Sequence, residues 1–354
     1  MAGSTRRSLS TDEVDLSGRV SGAVLAVVRR HAGFTQERLA ERLGVGLTTL
    51  QAWESGRNPL PRLPYGRLRQ VRRSLAAAGA EHRLLRTWDA ALDADSVLAD
   101  IDTADPSEHP LAHIVPDRAA TDLLAWPLTG QPPRALAGED ITLNVGRGER
   151  AAAAAALRRV VDADDAPEPE SAMLRRQVVY LVVDDPASQE WLAEQRRRDA
   201  ARARDLRTWS PEWPVARSAA VTAAVAGNLD PLRRFLAEGL ADDATIAANL
   251  NYWAYWAGEL PETWSADGLM LEPAGWPGER LLETLLDGID GAPYADLAAH
   301  TLWALLRARR QLAAAPAWRS RIAATVRRAL DAGQLADSAR VLLEQINYMM
   351  MVGE

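Results

Sequence analysis

Apolar residues recur every three or four positions through most of the chain, the period of a helix with one buried face. Val20, Val24, Val27 and Val28 set out one such stripe ahead of Arg29 and Arg30. Leu39 and Leu43, four apart, and Leu50 and Trp53, three apart, mark two short helices on either side of Gly44, Val45 and Gly46. Leu68, Val71 and Leu75 mark a fourth helix, and Leu84, Trp88, Leu92 and Leu98 a longer fifth. The stretch 177–183, QVVYLVV, could be a buried strand, but Leu174, Val178, Leu181 and Val182 keep helical spacing in a helical context. From Trp213 onward the pattern predicts helices over 215–228, 231–239, 242–259, 277–290, 293–314, 318–333 and 334–350, separated by Gly, Pro or Asp breaks. Helix pairs recurring at roughly 35–40 residues suggest stacked helix hairpins. The fold class is all-α.

The tight turn at Gly44, between two helices with four apolar anchors, is the pattern of a helix-turn-helix. Gly44 suits the positive φ that ends the first helix. Gln36, Leu39, Ala40, Leu43, Gly44, Val45, Leu50, Trp53, Glu54, Gly56 and Arg57 together resemble the Cro/phage-repressor-like (XRE) helix-turn-helix family. The order T-Q-x-x-L-A-x-x-L-G-V followed by W-E-x-G-x-x-P carries the resemblance, which covers roughly residues 18–79. It implies a five-helix N-terminal domain whose third helix, roughly 47–55, enters the major groove of operator DNA. On that helix Leu47, Thr48, Gln51 and Ala52 are the expected base-reading positions. Gln36, Thr49, Arg57, Asn58 and Arg62 are the expected phosphate contacts.

Charge changes the picture along the chain. The total is −7, yet between Gly18 and Arg86 thirteen arginines stand against four glutamates and no aspartate, giving +9 and leaving −16 for the rest. A basic head on an acidic body is the footprint of a nucleic-acid reader joined to something else. All 41 basic residues are arginine, and there is no cysteine, which excludes disulfides and thiolate chemistry and fits a reducing cytoplasm. No apolar run is long enough to span a bilayer, so no membrane is expected.

The expected division is a disordered tail over 1–17, the DNA-binding domain over 18–79, a bridging helix and linker over 80–118, and an all-α sensor or dimerisation domain over 119–354. In that last region, Tyr252, Trp253, Tyr255 and Trp256 form an aromatic stripe that is a candidate ligand pocket, with an ordinary helical core as the blander reading. Gly146-x-Gly148-x-x-Ala151 imitates a dinucleotide-binding turn but lacks the βαβ context. His109 and His113 have a metal-ligand spacing that Pro110 interrupts. No catalytic signature appears, and no enzyme, metal or cofactor is expected. The expectation is a cytoplasmic transcriptional regulator, homodimeric on a palindromic operator, responding to a small-molecule or protein effector. An antitoxin-like or scaffold protein that binds DNA only to autoregulate is the alternative.

Overall fold

Seventeen α-helices, six short 3-10 turns and one two-residue ladder make up the regular structure of the described residues. The computed structural model describes residues 15–102, 105–163, 170–202, 206–272, 275–290 and 293–352. It divides into two compact units, the first comprising residues up to 113 with 119–190, the second 114–118 with 191 onward.

In the first unit α1 (Arg19–His31), α2 (Gln36–Leu43), α3 (Leu47–Glu54), α4 (Tyr65–Ala77) and α5 (His82–Ala99) are the five helices implied by the pattern. The fifth is the stretch read from sequence as a bridge, and it lies along α1. Its Asp95 is fully buried, accepting from the Val20 N–H at 3.1 Å and the Ser21 N–H at 2.8 Å. This carboxylate caps α1 from a distance, where the local cap, Gly18, has no side chain. Burial outweighs those hydrogen bonds and pushes the Asp95 pKa up to about 7. Trp88 of α5 donates its indole N–H to the Ser21 carbonyl at 3.2 Å.

Beyond α5 come α6 (Arg118–Thr129), α7 (Arg147–Asp162) and α8 (Glu170–Leu181). The helical reading of 177–183 holds through Leu181. α6 runs through Pro127 to Thr129, the proline removing one N–H from the ladder within the last turn. The irregular segment between α6 and α7 straps the basic ends of α1 and α5. Arg83 donates to the Ala135 carbonyl at 2.5 Å, Arg30 to that of Asp140 at 2.8 Å and Arg19 to that of Asn144 at 3.0 Å. Residues 1–14 of the expected tail lie outside the described residues, while Leu16 and Ser17 are buried.

The second unit contains most of α9 (Gln189–Arg202), then α10 (Glu212–Val225), α11 (Asp230–Glu238), α12 (Asp243–Trp256), α13 (Glu279–Ile289), α14 (Ala295–Ala308), α15 (Arg310–Ala314), α16 (Pro316–Ala332) and α17 (Asp337–Val352). Three hairpins, α10/α11, α13/α14 and α16/α17, stack with α13 against α16 and α14 against both α11 and α17. The central α14 buries Leu297, Leu302, Leu305 and Leu306, apolar nearly all round, as a helix enclosed by neighbours must be. The single helix expected over 293–314 is two, broken at Arg309, whose φ of −130° and ψ of 64° leave the helical region. The short strands β1 (Val115–Pro116) and β2 (Trp264–Ser265) pair antiparallel within this unit.

Candidate nucleic-acid interface

Helices α2 and α3 meet through Leu39, Ala40, Leu43, Leu50 and Trp53, all buried. Gly44 closes α2 in the left-handed region at φ 63°, where a side chain would be strained. The Thr35 hydroxyl accepts the Arg38 N–H at 3.3 Å and caps the helix start. Close approach of α1 to α3 depends on Gly22, because a Cβ there would stand 2.3 Å from the Trp53 carbonyl oxygen.

A polar cluster pins these three helices together. Arg29 of α1 meets Glu54 of α3 through Nε–Oε1 at 2.5 Å and Nη2–Oε2 at 3.2 Å, with both side chains nearly buried. Arg29 also donates to the Phe34 carbonyl at 2.9 Å. Gln36, first residue of α2, donates to the second Glu54 oxygen at 2.6 Å and accepts from the Gln51 amide at 3.3 Å. Both oxygens of the buried carboxylate thereby have donors, three in all, as a buried charge requires.

Around this cluster the outer half of α3 stays open. Its cap, Gly46, is extended and brings no side chain to the first N–H groups. Thr48 is exposed, and Leu47, Thr49, Gln51 and Ala52 are half-buried. Beyond the helix, Arg57 and Asn58 are exposed, with Arg57 Nε donating to the Ser55 hydroxyl at 3.1 Å. Arg62 is exposed too, but reaches back to Asp15 at 3.2 Å and Ser17 at 3.4 Å. Residues 25–63 match a family model described as Helix-turn-helix. They are an XRE-family helix-turn-helix. No curated protein and no solved structure was found similar to the chain.

The helix-turn-helix makes this a DNA-binding regulatory domain. Sequence reasoning passed over the Arg29–Glu54 pair because the two residues stand 25 apart and no local period joins them. The Phe34 ring is half-buried, with the guanidinium groups of Arg38 and Arg42 over it at 6.0 and 5.6 Å. The spacing of 34, 38 and 42 by four was the available signal. Arg67 of α4 donates to the Leu43 carbonyl at 2.8 Å, satisfying the end of α2.

Elsewhere the candidate sites resolve into structure. At the glycine turn no strand precedes α7, and the Glu149 carboxylate accepts the Gly146 N–H at 2.7 Å, placing an anion where a phosphate would sit. His109 is buried, its Nδ1 accepting from the Leu111 N–H at 3.1 Å, and desolvation lowers its pKa to about 4. His113 turns instead to the Ser107 carbonyl at 2.6 Å. Among the described residues no cluster of three or more His, Cys, Asp or Glu could hold a metal, and no helix is long and apolar enough to cross a membrane.

On α12 the aromatic stripe divides. Tyr255 is wholly buried, its hydroxyl donating to the Val115 carbonyl and reaching that of Thr263 at 2.9 Å. Burial, with the Asp117 charge adding to it, raises its pKa further above the usual phenol range. Trp253 is buried against Tyr294, ring centres 6.2 Å apart. Tyr252 and Trp256 are half-buried, and Arg217 stacks over Tyr252 at 4.4 Å. Arg217 also donates to Asn249 Oδ1 at 2.9 Å, and Asn249 donates to the Thr301 hydroxyl at 3.0 Å. These contacts supply the internal partners that a buried asparagine needs.

Proposed function

We propose that the chain is a sequence-specific transcriptional regulator that binds a palindromic operator as a homodimer. The observation that carries this reading is the helix-turn-helix with α3 pinned from behind by Glu54 and its outer half left open. Leu47, Thr48, Gln51 and Ala52 read base edges. Gln36, Thr49, Arg57, Asn58 and Arg62 hold phosphates on either side, within a segment of net charge +9. The Gln36 side chain is held by Glu54 and Gln51, so its phosphate contact is made through the N–H groups at the start of α2. The second unit serves dimerisation and the sensing of a small molecule or partner protein. Its stacked hairpins support an interaction role of that kind.

Selection of bound sequences from random DNA, followed by titration at several salt concentrations, tests this reading. A symmetric consensus is expected, and Arg57→Ala should reduce the slope of log affinity against log salt by about one. Recovery of no consensus, with binding that follows charge alone, would refute it.

A further inference from the structure

A groove of about 480 Å³ opens between α4 and α5 in the first unit, with no residue of α3 in its lining. Its two walls carry opposite charge: Arg69, Arg72 and Arg73 come from α4, and Asp89 and Asp93 from α5. The floor between them is apolar, with Leu68 and Leu92. Across the groove Arg72 Nε stands 2.9 Å from both Asp89 oxygens. At the rim Tyr65 is 72% exposed, the highest among the exposed large hydrophobic residues described. Arg69 braces it, donating to the phenol oxygen at 3.1 Å with its guanidinium 5.7 Å from the ring centre.

The charge pattern decides what this surface fits. A nucleic-acid strand or an acidic segment would meet the α5 carboxylates, and a basic segment would meet the α4 arginines. A surface bearing both signs on facing walls is complementary to itself. A two-fold axis lays the basic wall of one copy on the acidic wall of the other, twice over, which is the requirement for an isologous contact. Exposed tyrosine and arginine beside an apolar depression are the residue types that anchor such contacts. We propose that this groove is where two copies of the chain associate, with Tyr65 of each seated in the groove of the other and Arg73 facing Asp93 across the axis. The proposal rests on the homodimer reading above and gives it a surface.

The test is sedimentation of the full chain, alone and with its selected operator, for wild type, Tyr65→Ala, Arg73→Glu and Asp93→Arg. Circular dichroism serves as the folding control. Wild type should dimerise. Tyr65→Ala should raise the dimer dissociation constant about 10-fold or more. Each charge reversal alone should do the same, because it sets two like pairs against each other. An equimolar mixture of the two reversal variants should regain wild-type association, since in the mixed dimer both pairs are opposite in sign. A dimeric wild type whose three variants associate equally well overturns the groove and leaves the homodimer reading standing. A wild type that is monomeric both free and on its operator removes the homodimer reading and the groove with it. Should a reversal variant lose its helical signal, Tyr65→Ala decides: folded with an unchanged dissociation constant, it overturns the proposal.

Discussion

The helix-turn-helix and the aromatic helix α12 both present a run of notable side chains on short helices, and they use them in opposite ways. In the motif, Trp53 and the leucines face inward while Glu54, Gln36 and Arg29 lock the back of α3, so its outer half carries only the long Gln51–Gln36 bond as internal duty. On α12 the most distinctive residues are consumed by the fold: Tyr255 binds two backbone carbonyls, and Asn249 links Arg217 to Thr301. A recognition surface is recognised by what the interior leaves unsatisfied. Aromatic richness by itself does not meet that condition.

The largest effects should come from breaking the lock behind α3. Glu54→Ala leaves Arg29 buried without its carboxylate and should cost about 3–5 kcal/mol of stability, read by urea unfolding. Trp53→Ala, a cavity beside it, should cost a similar amount. If Glu54→Ala melts like wild type yet no longer binds operator, the residue belongs to recognition and the contrast drawn above fails.

A second test uses pH. Asp95 has a folded-state pKa raised to about 7 from 3.8, so the protonated form is the one favoured by folding. Its contribution is present in full below about pH 3.8 and is lost as pH rises through about 7. His109 acts with the opposite sign, because a pKa lowered to about 4 makes folding favour its neutral form, and that stability is lost on acidification from 6.5. Subtracting the pH profile of Asp95→Asn from that of wild type isolates the first group. A difference that is flat between pH 4 and 7 would mean that the capping carboxylate stays ionised in the folded state.

What was legible in the chain follows from distance along it. Leu39, Leu43, Leu50 and Trp53 declare themselves because the helical period ties neighbours together, and Gly44 because one backbone position demands it. The hairpins of the second unit were legible for the same reason, down to helix ends displaced by only a few residues. Long-range polar partners carry no such mark: Gln51 finds Gln36 fifteen residues away, and Tyr255 finds Val115 at a separation of 140. Glu54 therefore showed only as a residue of the motif, its partners hidden, and Tyr255 as a pocket candidate. The break at Arg309 was equally hidden, since nothing in the apolar spacing across 293–314 changes there.

Tyr255→Phe sharpens the comparison on the side of α12. Removing the hydroxyl takes a donor from the Val115 and Thr263 carbonyls, the latter keeping the Asp117 N–H at 2.8 Å, and should cost about 1–3 kcal/mol, with operator binding at 25 °C unchanged. A variant of undiminished stability that answers an effector differently would return Tyr255 to the sensing site.

The smallest expected effect concerns base choice. Gly46 gives α3 no capping side chain, so the first side chains toward the groove are Leu47 and Thr48. Leu47 and Ala52 can neither donate nor accept a hydrogen bond, and the thymine methyl is the apolar group that a base edge offers in the major groove. Gln51 could pair with adenine only by exchanging its bond to Gln36, which at 3.3 Å is a weak one to give up. Half-sites should therefore hold A·T pairs beneath Leu47 and Gln51, with about 1–3 kcal/mol of discrimination per pair. Leu47→Arg should move the preference at its own position toward guanine and leave the rest of the consensus in place. Gln36→Ala should release Gln51 and alter the preference beneath Gln51 alone. A strict G-rich half-site selected by the unmodified protein would show that the outer half of α3 is read by other side chains.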